Sequence, residues 1–184
     1  MNLGVGNNTG TIGANYKYAT VGGGRMNEAR ERYSTVAGGG GNDADGYFAT
    51  VGGGYLNRVL GWHSTVAGGG GNTVEADNSV IAGGWENYVL SEYGAVGGGE
   101  ADSVEGAYSA IAGGYSNQAG DSDSDTASFI GGGWNNGIRE KYSSILGGKN
   151  NTVTDEYSVI SGGYNNIAAS MSSIVSSGHD NMVN

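Results

Sequence analysis

Hydrophobic residues recur along this chain with a period of fifteen residues. When the sequence is divided into successive coils from Tyr18, eleven coils cover residues 18–184, and the seventh coil is four residues longer than the rest. Position 7 of every coil is glycine, and position 12 is always Ala, Val or Ile. Position 4 is always a β-branched aliphatic residue, namely Val21, Val36, Val51, Val66, Ile81, Val96, Ile111, Ile130, Ile145, Ile160 and Val175.

The alternation within a coil predicts two short strands. A small residue at position 2 and the aliphatic residue at position 4 give the first strand one inward face. The glycines at positions 6 and 7 form a turn, because glycine adopts φ > 0 without a Cβ clash. Positions 10 to 12 form the second strand, and positions 13 to 15 close the coil. We therefore predict an all-β, single-chain parallel β-solenoid whose eleven coils, stacked ~4.8 Å apart, span roughly 50 Å.

Asparagine occupies position 10 in ten of the eleven coils, and Asp102 replaces it in the sixth. In stacked coils these side chains lie above one another, where each amide can bond to neighbouring coils and to turn backbone that needs partners. We predict a structural ladder rather than a ligand site; alternatively, each residue only serves the local turn. The ladder consists of Asn27, Asn42, Asn57, Asn72, Asn87, Asn117, Asn136, Asn151, Asn166 and Asn181.

The abundance of glycine raises collagen and disorder as alternatives. The chain has 39 glycines and no proline, but collagen requires glycine at every third residue together with proline. A hydrophobic content of 37% and a net charge of −10 favour disorder, whereas twelve Tyr, three Trp and the fixed positions oppose it. We expect an irregular N-terminal segment over 1–17, then a repeat array over 18–184 with an acidic insertion within 121–126.

Charge and composition argue against several partners. Eighteen acidic residues against eight basic ones oppose binding to a nucleic-acid backbone. The lack of Cys removes disulfide and thiolate chemistry. No segment approaches the ~18 consecutive apolar residues of a membrane span. The first eighteen residues do not resemble a signal peptide, so an exported form of this chain is expected to be mature or a fragment.

The predicted core is thin, because each coil encloses about two aliphatic side chains. Repeat arrays gain stability by stacking, and small cross-sections usually need a further staple. Because the chain has no Cys to form disulfides, we expect the additional stability to come from homo-oligomerisation, as either a trimer or a head-to-tail polymer.

The segments "YSTVAGGGGNDADG" and "NSVIAGGWEN" resemble the head repeats of YadA-like trimeric autotransporter adhesins and the glycine-rich repeats of phage tail fibres. The resemblance covers residues 18–184. It implies a left-handed β-roll, three chains around one axis, and a location on a cell surface or a virion fibre. The chain departs from the pattern in its period of fifteen rather than fourteen residues and in its double glycine.

Residues that could carry chemistry are few, and we expect no enzymatic activity. His63 and His179 occupy different positions of the coil and lack a matching acid or nucleophile. We therefore expect no cofactor. Calcium is a weak alternative at the insertion, where Asp121, Asp123 and Asp125 resemble the opening of a calcium loop but lack its glycine and its final glutamate.

Aromatic residues at position 8 are the most informative candidates. Up to Tyr115 they fall on alternate coils, and the other coils have Arg25, Gly40, Gly70 and Glu100 at this position. Large residues alternating with glycine can interlock with a neighbouring chain, or they can form a stripe that stacks on sugar rings. The candidate interface or ligand residues are Tyr55, Trp85, Tyr115, Trp134 and Tyr164.

Two functions are compatible with these patterns. The first is an extracellular adhesin or fibre module, which attaches to a host surface receptor or a glycan. The second is a structural subunit that polymerises head to tail into an extracellular filament, since a heterologous interface that does not close produces an open polymer.

Overall fold

A computed structural model describes Gly6 and residues 18–122, 124 and 126–184. In this part of the chain the secondary structure consists of two-residue strands without any helix, and hence without a helix suited to crossing a membrane. Apart from Gly6, the predicted irregular segment over 1–17 lies outside the described residues. The strands are β1 (Thr20–Val21), β2 (Glu28–Ala29), β3 (Thr35–Val36), β4 (Asp43–Ala44), β5 (Thr50–Val51), β6 (Arg58–Val59), β7 (Thr65–Val66), β8 (Thr73–Val74), β9 (Val80–Ile81), β10 (Tyr88–Val89), β11 (Ala95–Val96), β12 (Ser103–Val104), β13 (Ala110–Ile111), β14 (Gln118–Ala119), β15 (Phe129–Ile130), β16 (Gly137–Ile138), β17 (Ser144–Ile145), β18 (Thr152–Val153), β19 (Val159–Ile160), β20 (Ile167–Ala168), β21 (Ile174–Val175) and β22 (Met182–Val183).

The strands form two parallel sheets that run the length of the described array. Odd-numbered strands build one 11-stranded sheet and even-numbered strands the other, each strand pairing with its equivalent in the next coil. The register is unbroken, so that Thr35 pairs with Thr50. The same register is kept across the four-residue insertion, where Ala110 pairs with Phe129. The predicted parallel β-solenoid with coils of about fifteen residues is confirmed.

A third column of backbone pairing was not predicted from the sequence. Parallel bridges join position 8 of successive coils, from Arg25–Gly40 to Tyr164–His179. The two sheets and these bridges therefore pair each coil with its neighbours along three columns. Because side chains at position 8 lie outside the core, this position tolerates residues as different as glycine, glutamate and tryptophan, and no residue preference marks it.

Three positions of each coil have left-handed backbone, and only one of them is always glycine. Positions 1, 7 and 9 have positive φ, as in Phe48 at 57°, Gly54 at 96° and Leu56 at 54°. A bulky residue in this region is strained, at a cost of roughly 1–3 kcal/mol each. The repeated strain at positions 1 and 9 is compatible with the fold because neighbouring coils fix the same backbone path.

The aliphatic core consists of two side chains per coil, as predicted. Residues at positions 4 and 12 are buried in every coil, with Val183 in the last coil only partly so. The side chains are Val, Ile and Ala, which fill a narrow interior. Polar side chains at positions 2 and 10 complete that interior.

Candidate functional site

The position-10 asparagines form a continuous hydrogen-bonded ladder inside the solenoid. Oδ1 of Asn27 accepts from the backbone N–H of Asn42 at 3.0 Å and from its Nδ2 at 3.2 Å. Nδ2 of Asn42 also donates to the carbonyl of Gly38 at 2.9 Å and to that of Gly54 at 3.0 Å. The same pattern recurs along the array, with Asn181 exposed in the last coil and the other nine asparagines buried. These amides therefore satisfy the turn backbone and one another inside the solenoid.

Asp102 continues the ladder with one donor fewer. Its Oδ1 accepts from the backbone N–H of Asn117 at 2.8 Å and from Nδ2 of Asn117 at 2.9 Å. Its Oδ2 is buried without a hydrogen-bond partner. Burial raises the pKa of Asp102, and the two hydrogen bonds from Asn117 oppose that rise.

Serines at position 2 form a second internal ladder. The backbone N–H of Ser79 donates to Oγ of Ser64 at 3.0 Å, and that Oγ donates to the carbonyl of Ala76 at 2.8 Å. The sequence showed only that position 2 is always small. The frequent serine there was the available signal, since a serine can bond both the next coil and the closing turn.

The position-8 aromatics lie outside this interior. Their exposed fractions range from 39% for Tyr115 to 56% for Tyr55. The bridges at position 8 hold their backbones in one in-register column. The structure thus brings Tyr55, Trp85, Tyr115, Trp134 and Tyr164 onto a single surface line.

The rings of Tyr55 and Trp85 each lie next to a glycine of the preceding coil. A Cβ placed on Gly70 would be 2.3 Å from Cζ3 of Trp85, so the indole occupies the space that a side chain would need. At Gly40 the equivalent distance to Cδ2 of Tyr55 is 3.5 Å. The ring of Trp85 therefore fills the space beside Gly70, whereas the ring of Tyr55 makes only an ordinary van der Waals contact at Gly40.

An open pocket lies at the end of this column, in the first three coils. A pocket of about 300 Å³ lies beside Tyr55, with glycines between two larger pairs of residues. Its volume is at the lower end of the range for ligand pockets. The pocket is lined by Arg25, Met26, Gly40, Gly41, Tyr55 and Leu56.

In the upper coils the rings contact one another. The rings of Tyr115 and Trp134 have centroids 4.6 Å apart at an angle of 38°. Nζ of Lys149 lies 5.3 Å from the ring of Trp134, and Tyr164 stacks on His179 at 5.0 Å. The column therefore changes from separated rings before Tyr115 to two ring pairs from Tyr115 onward, with Lys149 between the pairs.

Position 1 carries a second aromatic column that the sequence interpretation did not identify. The rings of Tyr33 and Phe48 stack 4.5 Å apart with planes 5° from parallel. His63 continues the stack on Phe48 at 5.3 Å. The facing rings cover one another within the stack, yet the side chains stay exposed, as Phe48 does at 42%. Its signal was the recurrence of Tyr or Phe at position 1.

Charged residues are segregated around the coil. Positions 1 to 7 contain no Asp, Glu, Lys or Arg in any of the eleven coils. The outer surface of the odd-numbered strands is therefore uncharged, and Phe129, Leu146 and Ile174 are exposed on it.

The outer surface of the even-numbered strands carries an ion cluster. Arg30 pairs with Glu28 at 2.7 Å, with Asp45 at 2.7 Å and with Asp43. Burial, followed by the charge of Asp45, raises the pKa of Asp43 to about 6. The cluster links two adjacent coils, which indicates a structural role.

The two histidines lie in different aromatic columns of the solenoid. His63 is part of the position-1 stack. Nδ1 of His179 lies 2.9 Å from Oδ2 of Asp180, an acid that the sequence interpretation had not paired with it. Both side chains of this pair are more than half exposed, and His179 stacks on Tyr164.

Only one of the three predicted calcium ligands lies among the described residues. Asp121 is described, whereas Asp123 and Asp125 lie outside the described residues. Among the described side chains, no group of three or more His, Asp or Glu residues could hold a metal ion. The calcium hypothesis therefore stays a prediction.

The described geometry combines an internally hydrogen-bonded scaffold with one in-register column of exposed aromatic residues. A scan against protein-family models and a search of curated proteins found no match to this chain.

Proposed function

We propose that this protein is a non-enzymatic attachment module that binds a glycan through the position-8 aromatic column. The observation that carries the proposal is that Tyr55 and Trp85 lie along the solenoid surface, over glycines of their own chain. Since the indole of Trp85 already fills the space beside Gly70, a side chain of a neighbouring chain cannot insert there. Trp85 remains 47% exposed, which leaves ring surface for a ligand.

Exposed aromatic rings suit carbohydrates because a sugar ring combines an apolar face with polar edges. Tyr and Trp provide large apolar surface with a polar atom at one end. Large exposed apolar surface in a folded protein commonly marks a binding site. The net charge of −10 disfavours anionic glycans, so the expected ligand is an uncharged one.

The test is glycan binding by a double variant, Trp85→Ala with Trp134→Ala. We expect the wild-type protein to bind one or more uncharged glycans on an array and the double variant to lose that binding. Tyr88→Ala is the matched control, because Tyr88 is 41% exposed but lies on the even-numbered strands. Unchanged glycan binding by the double variant would disprove the proposal.

An extracellular location, on a cell surface or a virion fibre, belongs to the same proposal. It is supported by the resemblance to adhesin and tail-fibre repeats. Immunolabelling of intact cells or particles with an antibody against the folded protein would test it.

A second candidate function is structural, namely assembly of copies into a trimer or a head-to-tail filament. It is favoured by the uncharged surface of the odd-numbered strands, where Leu146 is 54% exposed. Two chains of net charge −10 repel least across that surface. We expect Leu146→Glu to reduce self-association in sedimentation experiments, whereas Leu90→Glu, an exposed position on the other sheet, has no effect. Electron microscopy would distinguish filaments from discrete rods; a monomeric wild-type protein would contradict this candidate.

A further inference from the structure

We infer that the ligand of the position-8 column is an extended, uncharged, β-linked polysaccharide lying parallel to the solenoid axis. The inference rests on the proposed glycan-binding function and adds the linkage class and the orientation of the chain.

The first argument is the spacing of the rings. Tyr55, Trp85 and Tyr115 occur on alternate coils, and the bridges at position 8 keep these coils in register. Two coils correspond to ~9.6 Å along the axis, twice the inter-strand spacing. In an extended β-1,4-linked glycan, neighbouring sugars are turned over, so the same ring face recurs at every second sugar, at nearly this repeat. One aromatic ring can then contact each second sugar.

The second argument concerns the coils between the rings. Gly70 adds no side chain of its own, and the indole of Trp85 covers it. Glu100, also exposed, lies between Trp85 and Tyr115 in the column. A carboxylate accepts hydrogen bonds, and the hydroxyl groups of an intervening sugar can donate them. The column therefore alternates apolar contact with small or accepting positions.

The third argument is the pocket at the lower end of this row. Gly40 and Gly41 lie between the pair Arg25 and Met26 and the pair Tyr55 and Leu56. At about 300 Å³ it has room for one sugar residue next to the ring of Tyr55. The pocket and the three rings together lie along coils one to seven.

The geometry disfavours other glycans. An α-linked chain that coils into a helix does not keep one sugar face in line with rings two coils apart. The carboxylates of Glu86 and Glu100, close to the rings, repel a polyanionic chain. The structure thus favours an uncharged, straight chain.

The experiment compares oligosaccharides of equal length by isothermal titration calorimetry. Cellohexaose and chitohexaose are the extended β-linked probes, and maltohexaose is the α-linked control. We expect affinity for a β-linked probe to rise from the disaccharide to the hexasaccharide and to exceed that for maltohexaose. Single variants Tyr55→Ala, Trp85→Ala and Tyr115→Ala each weaken the β-linked probe roughly three- to tenfold, the effect of one aromatic contact.

The outcomes separate this inference from the proposed function. Equal affinity for maltohexaose, or no gain in affinity beyond the disaccharide, overturns the linear β-linked ligand while Trp85-dependent glycan binding survives. If wild-type protein binds glycans only through residues other than the position-8 column, both proposals are wrong. Far-ultraviolet circular dichroism and cooperative unfolding establish that each variant is folded, and Tyr88→Ala should retain wild-type affinity.

Discussion

Asp102 shows how a single atom sets the electrostatics of a buried ladder. In neighbouring coils the amide nitrogen donates to two turn carbonyls, as Nδ2 of Asn87 does to Gly83 and Gly99 at 3.1 Å each. Oδ2 of Asp102 replaces that nitrogen and finds no partner. A carboxylate oxygen facing carbonyl oxygens is unfavourable, whereas a protonated oxygen can donate to one of them. Burial accordingly raises the pKa of Asp102.

Replacing Asp102 with asparagine should stabilise the protein at neutral pH. Because the pKa of Asp102 is raised on folding, its stabilising contribution is complete below the unfolded pKa and is lost as pH rises through the folded pKa. Asp102→Asn removes this loss and should raise the free energy of unfolding by about 1–3 kcal/mol near pH 7. The gain should shrink near pH 4, roughly the unfolded pKa. Urea unfolding at both pH values measures the difference.

A reciprocal variant controls for the position. Asn57→Asp places the same acid in an intact part of the ladder and should create the loss of stability at neutral pH that Asp102→Asn removes. Asp43, with its pKa raised to about 6, contributes a pH dependence of the same sign, so the comparison is the difference from wild type. An equal gain for Asp102→Asn at both pH values would contradict the argument.

At the residue scale, the sequence could predict the ladder but not its chemistry. Ten asparagines at one position are sufficient to place them above one another. The effect of the missing donor at Asp102 depends on turn carbonyls of its own coil and of the next coil, which a single position of the repeat does not show. The orientation of Trp85 over Gly70 likewise depends on a rotamer that spacing alone does not specify.

At the scale of the element, the double glycine of each turn divides into two different residues. In the coil containing Gly68 and Gly69, only Gly69 has left-handed backbone, at φ 87°. A Cβ on Gly69 would lie 2.2 Å from the carbonyl oxygen of Gly84, whereas a Cβ on Gly68 would meet no atom within 4 Å. The turn therefore requires glycine at position 7 and merely accepts it at position 6.

This difference predicts opposite outcomes for adjacent substitutions. Gly69→Ala should lower the free energy of unfolding by at least about 3 kcal/mol, because backbone strain adds to a backbone clash. Gly68→Ala should leave stability within about 1 kcal/mol of wild type or increase it, since alanine reduces the entropy of the unfolded chain. Chemical denaturation of the two variants provides the measurement. Similar losses of stability for both variants would show that the turn does not require glycine at position 7 more than at position 6.

The elements differ in how far the sequence predicted them. Strands at positions 3–4 and 11–12 were predictable, because a buried aliphatic recurs at the end of each. The bridges at position 8 were not, because backbone pairing with an outward side chain selects no residue type. The stack at position 1 was overlooked because interruptions such as Asn78 and Ala127 obscure its aromatic residues.

For the whole molecule, the unbroken register makes the coils nearly interchangeable. Each strand pairs only with its equivalents one coil away, in both sheets. Stability of such an array is close to a sum over coils and their interfaces. The insertion demonstrates this independence, because Gln118 pairs with Gly137 in the same register despite four extra residues between their coils.

Removing one complete coil should therefore shorten the solenoid without unfolding it, and should test the spacing of the rings. Deletion of residues 63–77 places Trp85 directly after Tyr55, as Trp134 already follows Tyr115 with ring centroids 4.6 Å apart. Deletion of 142–156 is the matched control, because it leaves the spacing from Tyr55 to Tyr115 intact. Both variants should unfold cooperatively with a denaturant m-value reduced in proportion to the lost surface.

Small-angle X-ray scattering should show each deletion variant shortened by ~4.8 Å, one inter-strand spacing. Only the deletion of 63–77 should reduce the preference for β-linked over α-linked hexasaccharides, because it alone removes the two-coil interval between Tyr55 and Trp85. Failure of both variants to fold would show that the coils are not interchangeable. If the protein with residues 63–77 deleted folds and keeps the preference, the glycan binds each ring independently of the spacing between rings along the axis.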